Sequence, residues 1–205
     1  MKKIVIASGN PGKLREFEQM LAPLGIEIVP QSKFGIPEAD EPHATFIENA
    51  LAKARHASRL SGMPAFADDS GICVAALGGE PGVHSARFAG SPGGRENQDQ
   101  PNNEKLIALL NGHADRRAHY YCVIALTRHA EDPEPVIAEG RWHGQVIETP
   151  RGTNGFGYDP HFYLPECGRT AAELAPEEKN AMSHRGKALA ELVAKLREAR
   201  VMSDE

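Results

Sequence analysis

The residues best suited to chemistry are two adjacent aspartates, Asp68 and Asp69, which follow the apolar run Ala65 to Ala67. That run predicts a buried strand that stops at the two carboxylates. Open α/β sheets bind ligands and metals at such strand ends. Because neighbouring side chains on an extended chain point to opposite faces, one aspartate can hold a cation while the other orients a loop. The alternative is that Asp-Asp-Ser-Gly is only a turn, since these residues are common in turns.

A second candidate is the loop Ser8-Gly9-Asn10-Pro11-Gly12-Lys13, which lies between the β-rich run Ile4 to Ala7 and a helical pattern. The helical pattern has its apolar residues at Leu14, Phe17, Leu21 and Leu24. Free N–H groups at a helix start, with the helix dipole and Lys13, favour an anion. The loop lacks the glycine spacing of a Walker A sequence, and Leu14 stands where a magnesium-binding hydroxyl is needed. The alternative is a plain strand-to-helix turn with Pro11 at its first position.

Further acids and a lysine lie between these two stretches. Glu38, Asp40 and Glu41 belong to a proline-containing loop whose side chains can turn toward a metal, or can simply be solvated. A capping box at Thr45 predicts a helix that runs to about Leu60. Asn49, Lys53 and His56 share one stripe of that helix. Lys53 can therefore face a ligand, although a solvated helix face is the alternative.

The segment 151–160 combines three glycines with two aromatics and ends near Asp159. Glycine lets the backbone approach a flat ligand, Phe156 can stack on a base, and Asp159 can accept a hydrogen bond from a ring N–H. The alternative is that the aromatics fill the core. Near the C-terminus, Arg185 lies in the first turn of a predicted helix, where the helix dipole disfavours a cation. That conflict indicates a ligand-related reason for Arg185.

The elements that position these residues predict an α/β fold with a mixed sheet. Two long runs read as an antiparallel hairpin, and residues 89–101 read as a mobile loop. No linker or repeat is evident, so we expect one domain over residues 1–205. The remaining predicted strands and helices are Ile26–Val29, Ile72–Leu77, Asn103–Leu110, the hairpin strands Ala118–Arg128 and Val136–Ile147, and a terminal helix carrying Leu189, Leu192, Val193 and Leu196.

Composition narrows the function classes. The chain has 205 residues, 40% of them hydrophobic and 25% charged, with a formal net charge of -5. That balance is typical of a globular protein and disfavours a nucleic-acid polymer as the main partner, which would need a broad basic face. No apolar run approaches the length of a membrane span. The three cysteines include no CxxC pair and suit a reducing compartment, so we expect a cytoplasmic protein.

Six motifs in order resemble the noncanonical purine NTP pyrophosphatase family, also called inosine triphosphate pyrophosphatases or XTP/dITP diphosphatases. The motifs span nearly the whole chain: residues 8–13, Thr45-Phe46-Ile47-Glu48-Asn49-Ala50, Ala67-Asp68-Asp69-Ser70-Gly71, Pro81-Gly82-Val83-His84-Ser85-Ala86-Arg87, Gly155-Phe156-Gly157-Tyr158-Asp159-Pro160 and Ser183-His184-Arg185-Gly186. The resemblance implies a long mixed β-sheet flanked by helices, two lobes with a central cleft, a homodimer and a Mg²⁺ requirement. It also implies hydrolysis of ITP, dITP and XTP to the monophosphate and pyrophosphate, which cleanses the nucleotide pool.

The resemblance also implies roles for particular residues. Asp69 would be the general base and a metal ligand, together with Asp40 or Glu41. The loop Ser8, Gly9, Asn10, Pro11, Gly12 and Lys13, with Lys53, would hold the triphosphate, and Ser70 would touch substrate. The base and sugar would be held by Phe156, Gly157, Tyr158, Asp159, Lys179, His184 and Arg185.

Two departures from the family pattern bear on these roles. Ser8 replaces the commoner Thr, which keeps the hydroxyl. Asp40-Glu41-Pro42-His43 replaces a more usual Glu-Glu-Thr-Gly, so either acid of this loop can be the ligand. Donors of Arg185 and His184 would pair with the 6-oxo group of the base, and an adenine amino group would leave those donors unpaired. A non-catalytic nucleotide sensor and a pyrophosphatase of different base preference are the competing functions.

Overall fold

A computed structural model describes residues 3–22, 25–90 and 98–201, with side chains described as far as residue 198. This part of the chain forms strands and helices in alternation. The strands are β1 (Lys3–Ile6), β2 (Glu27–Pro30), β3 (Ala65–Val74), β4 (Arg117–Thr127), β5 (Val136–Val146), β6 (Phe162–Leu164) and β7 (Arg169–Thr170). The helices are α1 (Pro11–Leu21), α2 (Phe46–Ser61), α3 (Asp99–Leu110), α4 (Pro176–Met182) and α5 (His184–Val201).

The strands form one mixed sheet in the order β2-β1-β3-β4-β5-β6-β7. β1 runs parallel to β2 and to β3, with Ile4 opposite Ile28 and Val5 opposite Ala65. β5 and β6 are antiparallel, as are β6 and β7. β4 and β5, the predicted hairpin strands, are neighbours in this order. The predicted mixed sheet flanked by helices is therefore confirmed, whereas the cleft implied by the resemblance stays a prediction.

The strand that carries the two aspartates is longer than the sequence indicates. β3 continues through Asp68 and Asp69 as far as Val74, so the turn interpretation is wrong. Of the predicted strand Ile72–Leu77, only residues 72–74 belong to β3. Residues 75–77 form a short 3-10 turn. Acids are unfavourable within an isolated strand. Here cations and an amide engage both carboxylates, so the strand does not need to end where they begin.

Two further boundaries differ from the predictions. α3 begins at Asp99, inside the predicted loop 89–101, and residues 91–97 of that loop lie outside the described part of the chain, as does Leu24. Residues 176–182, which are not among the predicted helices, form α4, and Pro176 is its first residue, where proline is well accommodated.

The chain divides into two compact units, each with its own hydrophobic core. The first unit comprises residues 1–69, 122–140 and 185–205. Its core joins β1, α1, β3, β4 and α5 through apolar residues that include Ile6, Phe17, Phe66, Ile124 and Leu189. This core fixes the strand end and helix start on either side of the loop 8–13.

The second unit comprises residues 70–121 and 141–184. Its core is richer in aromatics and includes Tyr120, Trp142, Tyr158 and Phe162. No helix in the described ranges is long and apolar enough to cross a membrane. The single domain over residues 1–205 stays a prediction.

Candidate active site

The loop 8–13 is organised by Asn10 at the start of α1. Its Oδ1 accepts hydrogen bonds from the N–H groups of Gly12, at 2.8 Å, and Lys13, at 3.2 Å. Pro11 is the first helical residue, as expected. A Cβ on Gly9 would meet the carboxylate of Glu38, the end of a flexible side chain, so the acidic loop reaches this turn. The strand–loop–helix unit is therefore confirmed, whereas its phosphate-binding role stays a prediction.

Asp68 and Asp69 contact different partners in the first unit. Oδ2 of Asp68 lies 2.9 Å from Nζ of Lys13 and 3.5 Å from Nε of Arg185. Oδ1 of Asp69 lies 3.4 Å from Nζ of Lys53, and its Oδ2 accepts from Nδ2 of Asn49 at 3.2 Å. The two side chains have different partners because neighbouring side chains of an extended strand point to opposite faces, as expected. The adjacent acids thus have different ion-pair partners, and they belong to two neighbouring ionic clusters.

Helix α2 supplies the partners of Asp69 and also holds the acidic loop. Lys53 and Asn49 are one turn apart, and Nζ of Lys53 lies 2.5 Å from Oε1 of Glu41. On the same stripe, the ring of His56 lies 3.1 Å from the carbonyl oxygen of Pro37, and the amide of Asn49 bonds to both backbone groups of His43. The helix therefore fixes both ends of the acidic loop. Lys53 is buried rather than solvated, at 9% exposure.

Burial and nearby charges together shift the pKa values of the two aspartates in opposite directions. Burial raises the pKa of Asp69, and the opposing effect of Lys53 and Lys13 is too small to reverse this. Burial also acts on Asp68, but Lys13, Arg185 and Lys53 outweigh it and hold the pKa of that carboxyl well below its ordinary value. Burial would lower the pKa of Lys53, yet Asp69 and Glu41 raise it. Lys53 therefore stays charged, while Asp69 accepts a proton more readily than Asp68 does.

Arg185 occupies a buried position beside acids. Its side chain is 2% exposed and forms ion pairs with Glu16 and Asp68. These ion pairs account for a cation in the first turn of α5. The conflict with the helix dipole therefore no longer indicates that Arg185 binds a ligand. The base-reading role of Arg185 stays a prediction, and these contacts give it no support. The pairing of Glu16 with Arg185 could not be predicted, because in the sequence Glu16 is only one of several polar residues of α1.

In the second unit, Asp159 organises the glycine-rich loop. Its Oδ2 accepts from the N–H of Phe156 at 3.0 Å and from Nζ of Lys179 at 2.7 Å, and its Oδ1 accepts from the hydroxyl of Tyr120 at 3.2 Å. Gly155 has φ +77, and a Cβ there would strike this carboxylate. Both oxygens of Asp159 are therefore engaged within the protein, so these contacts do not support the predicted bond to a ring N–H.

The other predicted residues of the second unit lie near this loop or on an aromatic stack. Nζ of Lys179 lies 4.8 Å from the centre of the Phe156 ring, which is a cation–π distance. The ring of His184 stacks on Tyr120 at 4.6 Å with an interplanar angle of 10°. The contact of Tyr120 with His184 could not be predicted, because in the sequence Tyr120 is only one residue of an apolar strand. Ser70 is the first residue of the second unit and is partly exposed.

The acidic residues of the first unit fit a hard divalent cation. Glu41 and Asp69 both contact the ammonium of Lys53, so two carboxylates already face one positive charge. Mg²⁺ takes one or two protein carboxylates and completes its shell with water and phosphate oxygens. Asp40 is exposed. Among the described residues no group of three or more His, Cys, Asp or Glu side chains converges.

The fold and the site define a class of α/β proteins that have a mixed seven-stranded sheet and buried clusters of acids and lysines. Within that class, the chain belongs to the Ham1 family, whose model matches residues 4–195. This confirms the resemblance seen in the six motifs.

Relatives match over nearly their full length. A dITP/XTP pyrophosphatase of Ralstonia nicotianae is 65% identical over 197 residues, which cover 96% of this chain and 98% of the relative. A dITP/XTP pyrophosphatase of Nitrosomonas europaea is also 65% identical, over 97% of this chain and 96% of the relative. The structure of a HAM1 protein from Coxiella burnetii is similar with a TM-score of 0.88 and 48% identity, covering 97% of this chain and 100% of that chain.

Proposed function

We propose that the protein is a nucleoside triphosphate pyrophosphatase that hydrolyses noncanonical purine nucleoside triphosphates, namely ITP, dITP and XTP. The products are the nucleoside monophosphate and pyrophosphate, and the role is to cleanse the nucleotide pool. The observation that carries the proposal is the buried Asp69, held between Lys53 and Asn49 beside Glu41. The names of the relatives support the substrate class.

In this proposal Asp69 is the general base that orients and deprotonates the attacking water. Its raised pKa brings it closer to the proton affinity that such a base needs, and its contacts with Lys53 and Asn49 fix its position. The water attacks the α-phosphorus, the bond to the α–β bridging oxygen breaks, and pyrophosphate leaves. Lys13 and Lys53 offset the negative charge of the phosphates, and the loop 8–13 contributes backbone and the Ser8 hydroxyl.

Glu41 and Asp69 are the residues proposed to hold Mg²⁺, which when bound would neutralise phosphate charge and polarise the scissile phosphoanhydride. Glu41 is preferred over Asp40 because Glu41 reaches the Asp69–Lys53 cluster, whereas Asp40 is exposed. The role of Lys53 is then to keep these two carboxylates ionised and close together before substrate arrives.

The second unit is proposed to recognise the base and sugar. Phe156 offers an aromatic face for stacking, with Lys179 held beside it by Asp159. Ser70 and His184 complete the predicted contacts of this unit. In the first unit, Arg185 is proposed to read the base, and the specificity of an Arg185→Ala variant tests this role. The homodimer and the cytoplasmic location also belong to this proposal, and the mass of the protein in solution tests the first.

A panel of triphosphates tests the function. Purified protein with Mg²⁺ is given ITP, dITP, XTP, ATP, GTP and a pyrimidine triphosphate, and release of pyrophosphate and monophosphate is measured. We expect the highest kcat/KM for ITP, dITP and XTP, and no turnover after Mg²⁺ is chelated. Nucleotide binding without turnover would indicate a sensor, and a preference for pyrimidines would indicate a pyrophosphatase of a different pathway.

A further inference from the structure

One helix of the second unit binds both backbone polar groups of a single residue in the glycine-rich loop. The N–H of Gly157 donates to Oδ2 of Asp99 at 2.6 Å, and Nδ2 of Asn103 donates to the carbonyl oxygen of Gly157 at 2.9 Å. Asp99 and Asn103 are one turn apart on α3, so both face the loop. Among the described residues, Oδ1 of Asn103 has no hydrogen-bond partner. An Asn103 substitution would therefore remove the bond to Gly157 without breaking a hydrogen bond at Oδ1.

These two bonds fix both peptide planes next to Phe156 and Tyr158. The N–H of Gly157 belongs to the plane that it shares with Phe156, and its carbonyl belongs to the plane that it shares with Tyr158. Gly157 has φ +64, and a Cβ there would meet open space. Side-chain packing at this position therefore does not fix the backbone, and a glycine is otherwise free to leave this conformation. The helix supplies the constraint that the glycine lacks.

Helix α3 is itself anchored to β3 through Ser85. Asn102 accepts from the N–H of Ala89 at 2.8 Å and donates to the carbonyl oxygen of Ser85 at 3.3 Å. The hydroxyl of Tyr158 donates to the same carbonyl at 2.7 Å, and the Ser85 hydroxyl accepts from the N–H of Ile72 at 2.9 Å. The motif 81–87 therefore links the strand after Asp69 to the helix that holds Gly157.

We propose that Asp99 and Asn103 are positioning residues for base recognition. They hold Phe156 in the orientation in which its ring can stack on the purine, although neither needs to touch the substrate. The inference rests on the proposed function, because it takes Phe156 as the stacking surface. It extends the base-binding machinery to a helix that the six motifs do not include.

The experiment compares Asp99→Ala and Asn103→Ala with two controls. Asp99→Asn keeps an oxygen that can accept from Gly157, and Gln100→Ala changes an exposed residue of the same helix that pairs with Glu104. Steady-state kinetics with ITP and ATP give KM and kcat. Titration calorimetry gives the affinities for inosine monophosphate and for inorganic pyrophosphate, which lacks a base.

Loss of one hydrogen bond of this kind should raise KM for ITP by about three- to ten-fold and leave kcat within about two-fold. Affinity for inosine monophosphate should fall by the same factor, while affinity for pyrophosphate should not change. Asp99→Asn should restore the wild-type KM, and Gln100→Ala should retain it. Because Asp99 is exposed, its variants should fold even if Asn103→Ala does not.

Two results would overturn the inference while leaving the proposed function intact: an unchanged KM for ITP in both alanine variants, or a parallel loss of affinity for pyrophosphate. The second result would mean that the helix supports the fold in general rather than the base site. Failure of the wild-type protein to hydrolyse any triphosphate would instead remove the proposed function, and this inference with it.

Discussion

Replacing Asp68 by Asn tests whether this acid serves the structure rather than the chemistry. The substitution keeps the shape of the side chain and removes its charge. In the structure that charge lies 2.9 Å from Lys13 and 3.5 Å from Arg185, and the Asp68 side chain is 1% exposed. Asn would leave both cations with less compensation, because a neutral amide would replace the carboxylate.

The expected cost follows from burial. Breaking a buried ion pair by removing one partner costs about 3–5 kcal/mol, because the remaining charge is left uncompensated. Arg185 keeps Glu16 as a second partner, and Lys13 is partly exposed, so we expect the lower end, about 3 kcal/mol. For a chain of this length that corresponds to a fall in Tm of about 6–12 °C.

The dependence on pH has a definite sign. The pKa of Asp68 is lowered in the folded protein, first by Lys13 and then by Arg185, against the effect of burial. Its stabilisation is therefore fully present above the ordinary carboxyl pKa of about 4 and is lost as the pH falls through the lower folded value. The stability difference between wild type and Asp68→Asn should narrow in acid below about pH 4.

Urea unfolding at pH 7 and at acid pH measures both effects. Asp115→Asn is the matched control, since Asp115 makes an exposed ion pair with Arg117 at 2.7 Å, and it should leave the unfolding midpoint unchanged. Equal midpoints for Asp68→Asn and Asp115→Asn would refute the reasoning. That result would mean that the desolvation of Asp68 cancels its attraction to Lys13 and Arg185.

Three other predictions concern activity. Asp69→Asn should keep nucleotide affinity within a few-fold and lower kcat by at least about 100-fold, the usual contribution of a general base. A kcat within a few-fold of the wild-type value would remove Asp69 from this role. Glu41→Gln should raise the Mg²⁺ concentration for half-maximal rate, whereas Asp40→Asn should not, and the opposite order would make Asp40 the ligand. If Arg185 reads the base, Arg185→Ala should lower kcat/KM for ITP and XTP much more than for ATP. Equal losses for all three would show that its buried ion pairs with Glu16 and Asp68 support the structure instead.

Those parts of the site in which the residues are close in sequence could be predicted, because the repeat of the helix places such residues on one face. Pro11 after Asn10 marks the start of α1, and the spacing of Asn49, Lys53 and His56 places them on one stripe of α2 that faces the acidic loop. In these cases the residues that act together are within one or two helical turns. The prediction needed only the pitch of the helix.

The contacts between distant segments could not be predicted in this way. The pairing of Arg185 with Glu16 joins residues 169 positions apart, and the bond from Asn103 to Gly157 spans 54 positions. The length of β3 was missed for the same reason. Strand propensity ends the element at the first aspartate, whereas partners supplied from α1, α2 and α5 allow it to continue. Tertiary pairing overrides the local preference.

Adjacent acids of the same type therefore differ in function through their surroundings. Asp68 faces two cations in a buried cluster, which holds its pKa low, so it stays an anion over the pH range in which the protein is expected to work. Asp69 shares Lys53 with Glu41, and its second oxygen meets a neutral amide, so burial dominates and its pKa rises. A group that must take and release a proton needs the second environment, and a group that anchors Lys13 and Arg185 needs the first. An extended strand supplies both from neighbouring positions, because its side chains alternate between two faces. The continuation of β3 through the two aspartates is what separates the proposed base from the anchoring acid.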